Sequence, residues 1–354
     1  MYAIDTTALA MVTGATGYVA GWIVKGLLQA GVTVHAPVRD PINPAKLQYL
    51  NAIAENSPGK LRLFKADLLD EGSYAQGMSD CSIVFHTASP FTINVRDPQK
   101  DLVDPALLGT RNVLEEANRT PSVKRVVLTS SCAAIYSDNA DIKKTPNDVF
   151  TEKDWNTGSS LAHRAYSYSK TVAEREAWKI ADAQKRWDLV VVNPSLVLGP
   201  GISPYATSES FTVVRRLGDG MLKRGVPRMG VGVVDVRDLA KAHLAAAYTQ
   251  SAKGRHIISG HNTDLFELAL TLLPKYGNDY PIPRKSLPKW LVWIVGPMVD
   301  AAVTRKIVSL NVGIPWRGDN SKSIRALDIS YRPLADSLND MFQQLIEAGQ
   351  FDEV

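Results

Sequence analysis

Leu9-Ala10-Met11-Val12-Thr13-Gly14-Ala15-Thr16-Gly17-Tyr18-Val19-Ala20 is the stretch on which the fold turns. An apolar run ends in a glycine turn, and a segment with helical spacing follows at once. Gly14 and Gly17 carry no Cβ, so the backbone can turn tightly and leave room for a ligand. A helix N-terminus offers unpaired N–H groups and the positive end of a dipole, which suit a pyrophosphate. Ala20 takes the third small position of the Gly-x-x-Gly-x-x-Gly/Ala pattern, where close helix packing is needed. At the first strand of a chain this reads as a dinucleotide-binding turn, with a ligand-free strand–helix turn as the plainer alternative. Gly14, Thr16, Gly17, Tyr18 and Val19 are its candidate contacts.

Further along, short β-rich runs at 9–12, 32–38, 61–65, 83–86, 126–129 and 189–193 alternate with helical segments at 18–30, 102–118 and 166–183. The runs hold Val, Ile and Leu without polar alternation, as in strands buried on both faces. The reading is an α/β fold, a doubly wound parallel sheet of the Rossmann kind. Residues 1–195 form the dinucleotide-binding domain, and 231–260, with a helix at 236–248, is expected to return to it. Pro, Gly and Ser recur from Pro194 to Tyr205, and Pro and Lys from Pro274 to Lys289. Residues 196–230 and 261–354 therefore read as a smaller, partly irregular C-terminal substrate lobe. No internal repeat is apparent.

Composition bounds the function. The chain has 354 residues, 45% hydrophobic and 21% charged, with a net charge of +4 and no run of five cations. Nothing there calls for nucleic acid or a membrane as partner. The first nine residues lack a basic-then-apolar leader pattern, and two cysteines, Cys81 and Cys132, make no disulfide framework. Both features point to a cytoplasmic protein. The apolar stretch Leu287 to Val299 is interrupted by Lys289, Gly296 and Pro297 and is too short to span a bilayer; its helical spacing reads as core or lobe packing, with the docking helix of an interaction protein as the alternative. Six histidines form no spaced set with Cys or Asp, so no metal site is expected.

The end of the second strand, Val38-Arg39-Asp40-Pro41, should meet the adenosine ribose. An acid there accepts the ribose 2′-OH of NAD, whereas Arg suits a 2′-phosphate. Arg39, with Lys46 seven residues on, favours NADPH/NADP+; Asp40 in a shifted register would favour NAD. Asp67 and Leu68 after the third strand, and Thr87, Ala88 and Ser89 after the fourth, are further candidate contacts.

Tyr166 and Lys170 lie four apart in a helical segment and so project from one face. Reducing a carbonyl needs a proton donor, and a phenol near pKa 10 is sluggish until an ammonium lowers it. Of twelve tyrosines only Tyr166 has Lys at i+4, yet an ordinary surface pair has the same spacing. Thr129-Ser130-Ser131 ends the fifth strand, where open parallel sheets bind ligands. Ser131 is assigned the catalytic role, toward the substrate carbonyl, and Ser130 the structural one; Thr129 is placed beside the cofactor.

With these motifs in order, the chain resembles an extended short-chain dehydrogenase/reductase. Within that superfamily it is similar to the group of dihydroflavonol reductases, cinnamoyl-CoA reductases and microbial aldehyde and methylglyoxal reductases. Asn193-Pro194-Ser195-Leu196-Val197-Leu198-Gly199-Pro200, Val234 to Ala240 and Asp319-Asn320-Ser321-Lys322 fit later motifs. The resemblance implies a Ser131–Tyr166–Lys170 mechanism with NADPH, Arg39 and Lys46 on the 2′-phosphate, and Pro194, Ser195 and Val197 beside the nicotinamide. It also implies a monomer or a homodimer. Arg164-Ala165-Tyr166-Ser167-Tyr168-Ser169-Lys170 departs from the plant cinnamoyl-CoA pattern, and Tyr136 stands where flavonoid reductases have Asn. A smaller aldehyde or ketone is therefore expected, with Phe91, Ser131, Tyr136 and Phe211 as candidate pocket residues. The competing readings are an NAD-dependent alcohol dehydrogenase, a nucleotide-sugar epimerase or dehydratase, and a non-catalytic dinucleotide sensor.

Overall fold

Strand–helix alternation in the first half of the chain becomes one parallel sheet, seen in a computed structural model that describes residues 2–89, 95–203, 208–300 and 302–351. In chain order the elements are β1 (Leu9–Thr13), α1 (Tyr18–Gln29), β2 (Thr33–Val38), α2 (Pro44–Glu55), β3 (Lys60–Lys65) and α3 (Ala75–Met78). Then come β4 (Cys81–His86), α4 (Asp104–Arg119), β5 (Arg125–Thr129), α5 (Ala165–Asp182) and β6 (Asp188–Pro194). The second half adds β7 (Leu196–Leu198), α6 (Glu209–Gly218), β8 (Val226–Pro227), β9 (Gly230–Asp235), α7 (Val236–Tyr248) and β10 (Gly254–Ile258). It ends with β11 (His261–Asp264), α8 (Leu265–Tyr276), β12 (Ser286–Leu287), α9 (Lys289–Val299), α10 (Arg305–Asn311), α11 (Ser321–Leu327) and α12 (Leu334–Glu347).

The main sheet has seven strands in the order β10-β6-β5-β4-β1-β2-β3. After β3 the chain crosses to the far side of β1, so the carboxyl ends of β1 and β4 flank a crevice at the reversal point. Thr13 lies level with His86, and Thr129 with Val192, so the strand ends carrying the motifs open on one edge.

Both faces of the sheet are buried, which explains the unbroken apolar runs. Ala10 and Val12 of β1 face a core built with Ile23, Leu27 and Leu28 of α1 and Leu239 and Ala245 of α7. Met11, between them, faces the opposite core with Val113, Leu114, Ala177 and Ile180 from α4 and α5. Burial of this kind contributes about 1.5–3 kcal/mol for each large side chain. The buried Arg125 guanidinium donates to the carbonyls of Ala246, Ala247 and Thr249, which satisfies the C-terminus of α7.

Segment 231–260 divides between two sheets. β10 pairs with β6 at the edge of the main sheet and α7 packs into the main core, whereas β9 pairs with β7 and β11 in a separate three-stranded sheet. Gly232, on β9, admits the face of Trp316, since a Cβ there would lie 2.2 Å from the indole ring. The second lobe has its own core of α6, α8 and α12 residues, including Phe211, Leu217, Leu272, Leu338 and Phe342.

Candidate active site

The glycine turn is shaped by contact with the fourth strand. Gly14 has φ +65°, and a Cβ there would stand 3.0 Å from Ala88 Cα. Gly17 opens α1 with no side-chain cap, leaving the first-turn N–H groups pointing out of the turn. Thr13 Oγ1 accepts from the N–H groups of Thr87 (3.1 Å) and Ala88 (3.0 Å), and Thr87 Oγ1 donates to Thr13 O. Thr87 and Ala88 thus lock the two strand ends that flank the crevice. Thr16 is exposed, and Val19 packs on the main core.

Tyr18 turns away from the crevice. Its hydroxyl donates to Gly199 O at 2.5 Å and its ring meets Phe211 edge-on at 5.0 Å, fastening α1 to the second lobe. Gly199, at φ +104°, makes that approach possible. Phe211, a candidate pocket residue, is only 8% exposed and packs against Tyr18 within the lobe core. Phe91 lies outside the described residues.

At the end of β2, Arg39 is exposed and forms no ion pair among the described residues. Asp40 Oδ1 accepts from Ile42 N at 3.3 Å and so closes its own loop. Lys46 lies in the first turn of α2, and its side chain is outside the described residues. Asp67 Oδ1 accepts from Leu69 N, and Leu68 packs against Gly109 of α4. At the end of β6, Ser195 Oγ is buried with no partner, next to Pro194; Val197 is half-buried on the main core.

The catalytic candidates converge at the end of β5. Ser131 is extended and N-caps a single 3₁₀ turn, its Oγ accepting from Ala133 N at 3.1 Å. That leaves its proton free to donate, and the Ser131 side chain stands close enough to Tyr166 to act on its phenol. Tyr166 is the second residue of α5, and its ring is half exposed. Burial of the hydroxyl end raises the Tyr166 pKa above its usual value, and Ser131 opposes the rise. This is opposite to the lowering expected from the Lys170 spacing. The reason is geometric: Lys170 Nζ lies 5.9 Å from the Tyr166 ring centroid and donates to Ser89 Oγ at 2.9 Å. Burial lowers the Lys170 pKa to about 8, with Glu174 acting against it.

Ser130 is spent on structure. It donates to Glu174 Oε2 at 2.5 Å, and Asn193 Nδ2 bridges that oxygen (2.8 Å) and Ser131 O (3.2 Å). Arg255 Nε closes the network on Glu174 Oε1 at 2.6 Å. A small cavity of about 20 Å³ lies beside it, lined by His86, Thr110, Thr129, Ser130, Lys170 and Glu174. Thr129 Oγ1 is held by His243 Nε2 at 2.8 Å. Sequence reasoning missed Glu174, although a carboxylate one turn beyond Lys170 on a buried helix stripe was visible.

It also missed the entrance to α5. Asp138 Oδ2 meets His163 Nε2 at 2.6 Å, while Oδ1 meets Arg164 Nε (3.3 Å) and Asn311 Nδ2 (2.7 Å). Arg164, the N-cap of α5, has φ 57°, so this carboxylate holds a strained entry two residues before Tyr166.

Tyr136 stacks on Phe150 at 4.8 Å beside Trp316. A second, open cavity of about 600 Å³, bordered by Arg228, Asp264, Glu267 and Trp316, includes none of the predicted site residues. Among the described residues no group of His, Cys, Asp and Glu could hold a metal ion, and no helix is long and apolar enough to cross a membrane.

Comparison with known proteins shows the family and the fold. The model of the NAD dependent epimerase/dehydratase family matches residues 10–260. A cinnamoyl-CoA reductase of Medicago truncatula is 39% identical over 339 residues, covering 95% of each chain. An anthocyanidin reductase of Vitis vinifera is 37% identical over 285 residues, covering 77% of this chain and 82% of its own. Among solved structures, the yeast methylglyoxal/isovaleraldehyde reductase complexed with NADPH superposes with a TM-score of 0.77 at 26% identity, covering 97% of this chain and 99% of that one. The chain belongs to the NAD dependent epimerase/dehydratase family, that is, to the extended short-chain dehydrogenases/reductases.

Proposed function

We propose that this chain uses NADPH to reduce a small aldehyde or ketone to the alcohol, with Tyr166 as proton donor. The observation that carries the reading is the convergence of Ser131 and Tyr166 at the carboxyl end of β5, with Lys170 one turn along the same helix and bonded to Ser89. The residues present suit the cofactor. The uncapped N-terminus of α1 is open to a pyrophosphate, exposed Arg39 suits a 2′-phosphate, and Ser195 Oγ has an unmet hydrogen bond near the nicotinamide end. NADPH supplies the hydride when bound.

The rest of the chemistry belongs to the side chains. Ser131 Oγ accepts from Ala133 N–H and keeps its own proton as a donor. It can therefore donate to a carbonyl oxygen and steady developing negative charge. Tyr166, raised in pKa by burial, keeps its proton through the neutral range and delivers it to that same oxygen. Lys170 stays cationic below about pH 8 and opposes charge on the phenol once the proton leaves.

A small substrate is favoured by the departures of this sequence from the plant patterns, Tyr136 among them, whose ring stacks on Phe150. Methylglyoxal, isovaleraldehyde, simple ketones and a cinnamoyl thioester, each assayed with NADPH and NADH, test the reading. Faster turnover of the thioester than of every aldehyde would replace the small-carbonyl assignment. Tyr166→Phe is expected to lower kcat at least about a hundredfold while NADPH binding, followed by fluorescence, stays within a few-fold. Unchanged turnover in that variant would sink the mechanism.

A further inference from the structure

Helix α9 does not pack as its sequence suggests. The stretch reads as lobe core, yet Trp290 is 65% exposed, Met298 83% and Val299 72%, and Trp293 and Ile294 are also exposed. Within the helix only Val292 is buried, against Val308 and Val312 of α10 and the chain that follows it. At 100° per residue, Trp290, Trp293, Ile294 and Met298 fall on one outward arc that carries no charge.

The segment that carries this arc is charged almost entirely with one sign. Residues 284–306 hold five cations (Arg284, Lys285, Lys289, Arg305 and Lys306), all exposed, and one carboxylate, Asp300, which is paired with Arg216 at 3.7 Å. The net +4 of this short segment equals the net charge of the whole chain. Arg305 lies over the Trp293 ring at 4.6 Å, so cation and aromatic share the rim of the same face.

We propose that the α9 face is a peripheral docking surface for an anionic lipid bilayer. An apolar arc with tryptophans, with Lys and Arg in the flanking segments and one Arg over a Trp ring, is the pattern of a helix lying in the headgroup region. Eleven residues of helix are too short to span the hydrocarbon, so the contact is one-sided. A second copy of this chain fits less well, because a two-fold contact would bring net +4 against net +4. The inference stands apart from the proposed reaction and uses none of its residues.

Co-sedimentation of the full chain with vesicles of phosphatidylcholine alone, and with an equal part of phosphatidylglycerol, tests it. Binding is expected only to the anionic vesicles and should weaken with salt. The variant carrying Trp290→Ser and Trp293→Ser should lose it. Lys285→Gln with Lys306→Gln should reduce partitioning roughly fivefold for each charge removed. Circular dichroism and thermal midpoints confirm that each variant is folded. No binding, equal binding to both vesicle types, or binding indifferent to the tryptophans would overturn the proposal. So would a concentration-dependent dimer in sedimentation that Trp290→Ser dissolves.

Discussion

Lys170 is the residue on which the electrostatics of the site converge. Tyr166, Ser89, His86 and Glu174 all stand near it, and burial brings its pKa down to about 8 against the pull of Glu174. His86, beneath it, is held neutral by burial and by the ammonium, at about 3. Lys170 is charged below its pKa, so carbonyl reduction should fall as pH rises through about 8. Glu174→Gln removes the only opposing charge and should move that alkaline limb of kcat/KM down by about one pH unit. Glu174→Asp should move it less. A limb that stays in place while thermal stability drops would mean that Glu174 only holds the fold. Arg39 offers a second test at this scale. Arg39→Gln should raise KM for NADPH about tenfold or more and leave KM for NADH nearly unchanged, since a charge-assisted bond to a 2′-phosphate exists only with the former. Equal loss with both cofactors would place the 2′-phosphate elsewhere.

Among the elements, α5 matters most, because it carries both catalytic candidates and enters through a left-handed residue. Asp138 holds that entry from outside: burial raises its pKa, but bonds from His163 and Asn311 and the charge of Arg164 bring the net below the usual value. Asn311 belongs to α10, so the second lobe reaches back to the start of the catalytic helix. Asp138→Asn keeps the shape and removes the charge. It should cost about 1–3 kcal/mol in denaturant unfolding, and reduce kcat more than KM as Tyr166 loses its fixed position. Full activity with lower stability would show that the entry does not position Tyr166. This element also marks what the sequence could reveal. The helix and its Tyr-x-x-x-Lys face follow from periodicity, and the separate roles of Ser130 and Ser131 follow from strand-end chemistry. Asp138, His163 and Asn311 are far apart in the chain, and no local period links them. Only the second lobe's return path brings them together.

At the level of the whole molecule, the parallel, doubly wound sheet was legible because most of its strands are buried on both faces and helices cross between them, the edge strand β3 being the exposed exception. The division of 231–260 between two sheets was not, because β9 and β10 are both short, buried strands and nothing local says that one pairs with β7 and β11 and the other with β6. The contact between Tyr18 and Phe211 was not legible either, because the two residues lie far apart in the chain and an aromatic has the same residue type whether it faces a ligand or the other lobe. Three buried histidines offer a test of the assembled fold. His86 is pushed down to about 3, His243 to about 4 and His256 to about 4, in each case first by burial. In the unfolded chain each titrates near 6.5. Below that pH the unfolded state binds protons the folded state refuses, so stability is full above pH 6.5 and is lost as pH falls toward 4. Each histidine should contribute a slope of about 1.4 kcal/mol per pH unit in that window. His243→Gln should lower stability at neutral pH, because the bonds to Thr129 and Leu239 O are disturbed, yet flatten the acid slope by one histidine's share. Denaturant unfolding of both proteins at pH 7, 6, 5 and 4.5 measures that difference, and parallel slopes would mean that His243 is already protonated in the fold.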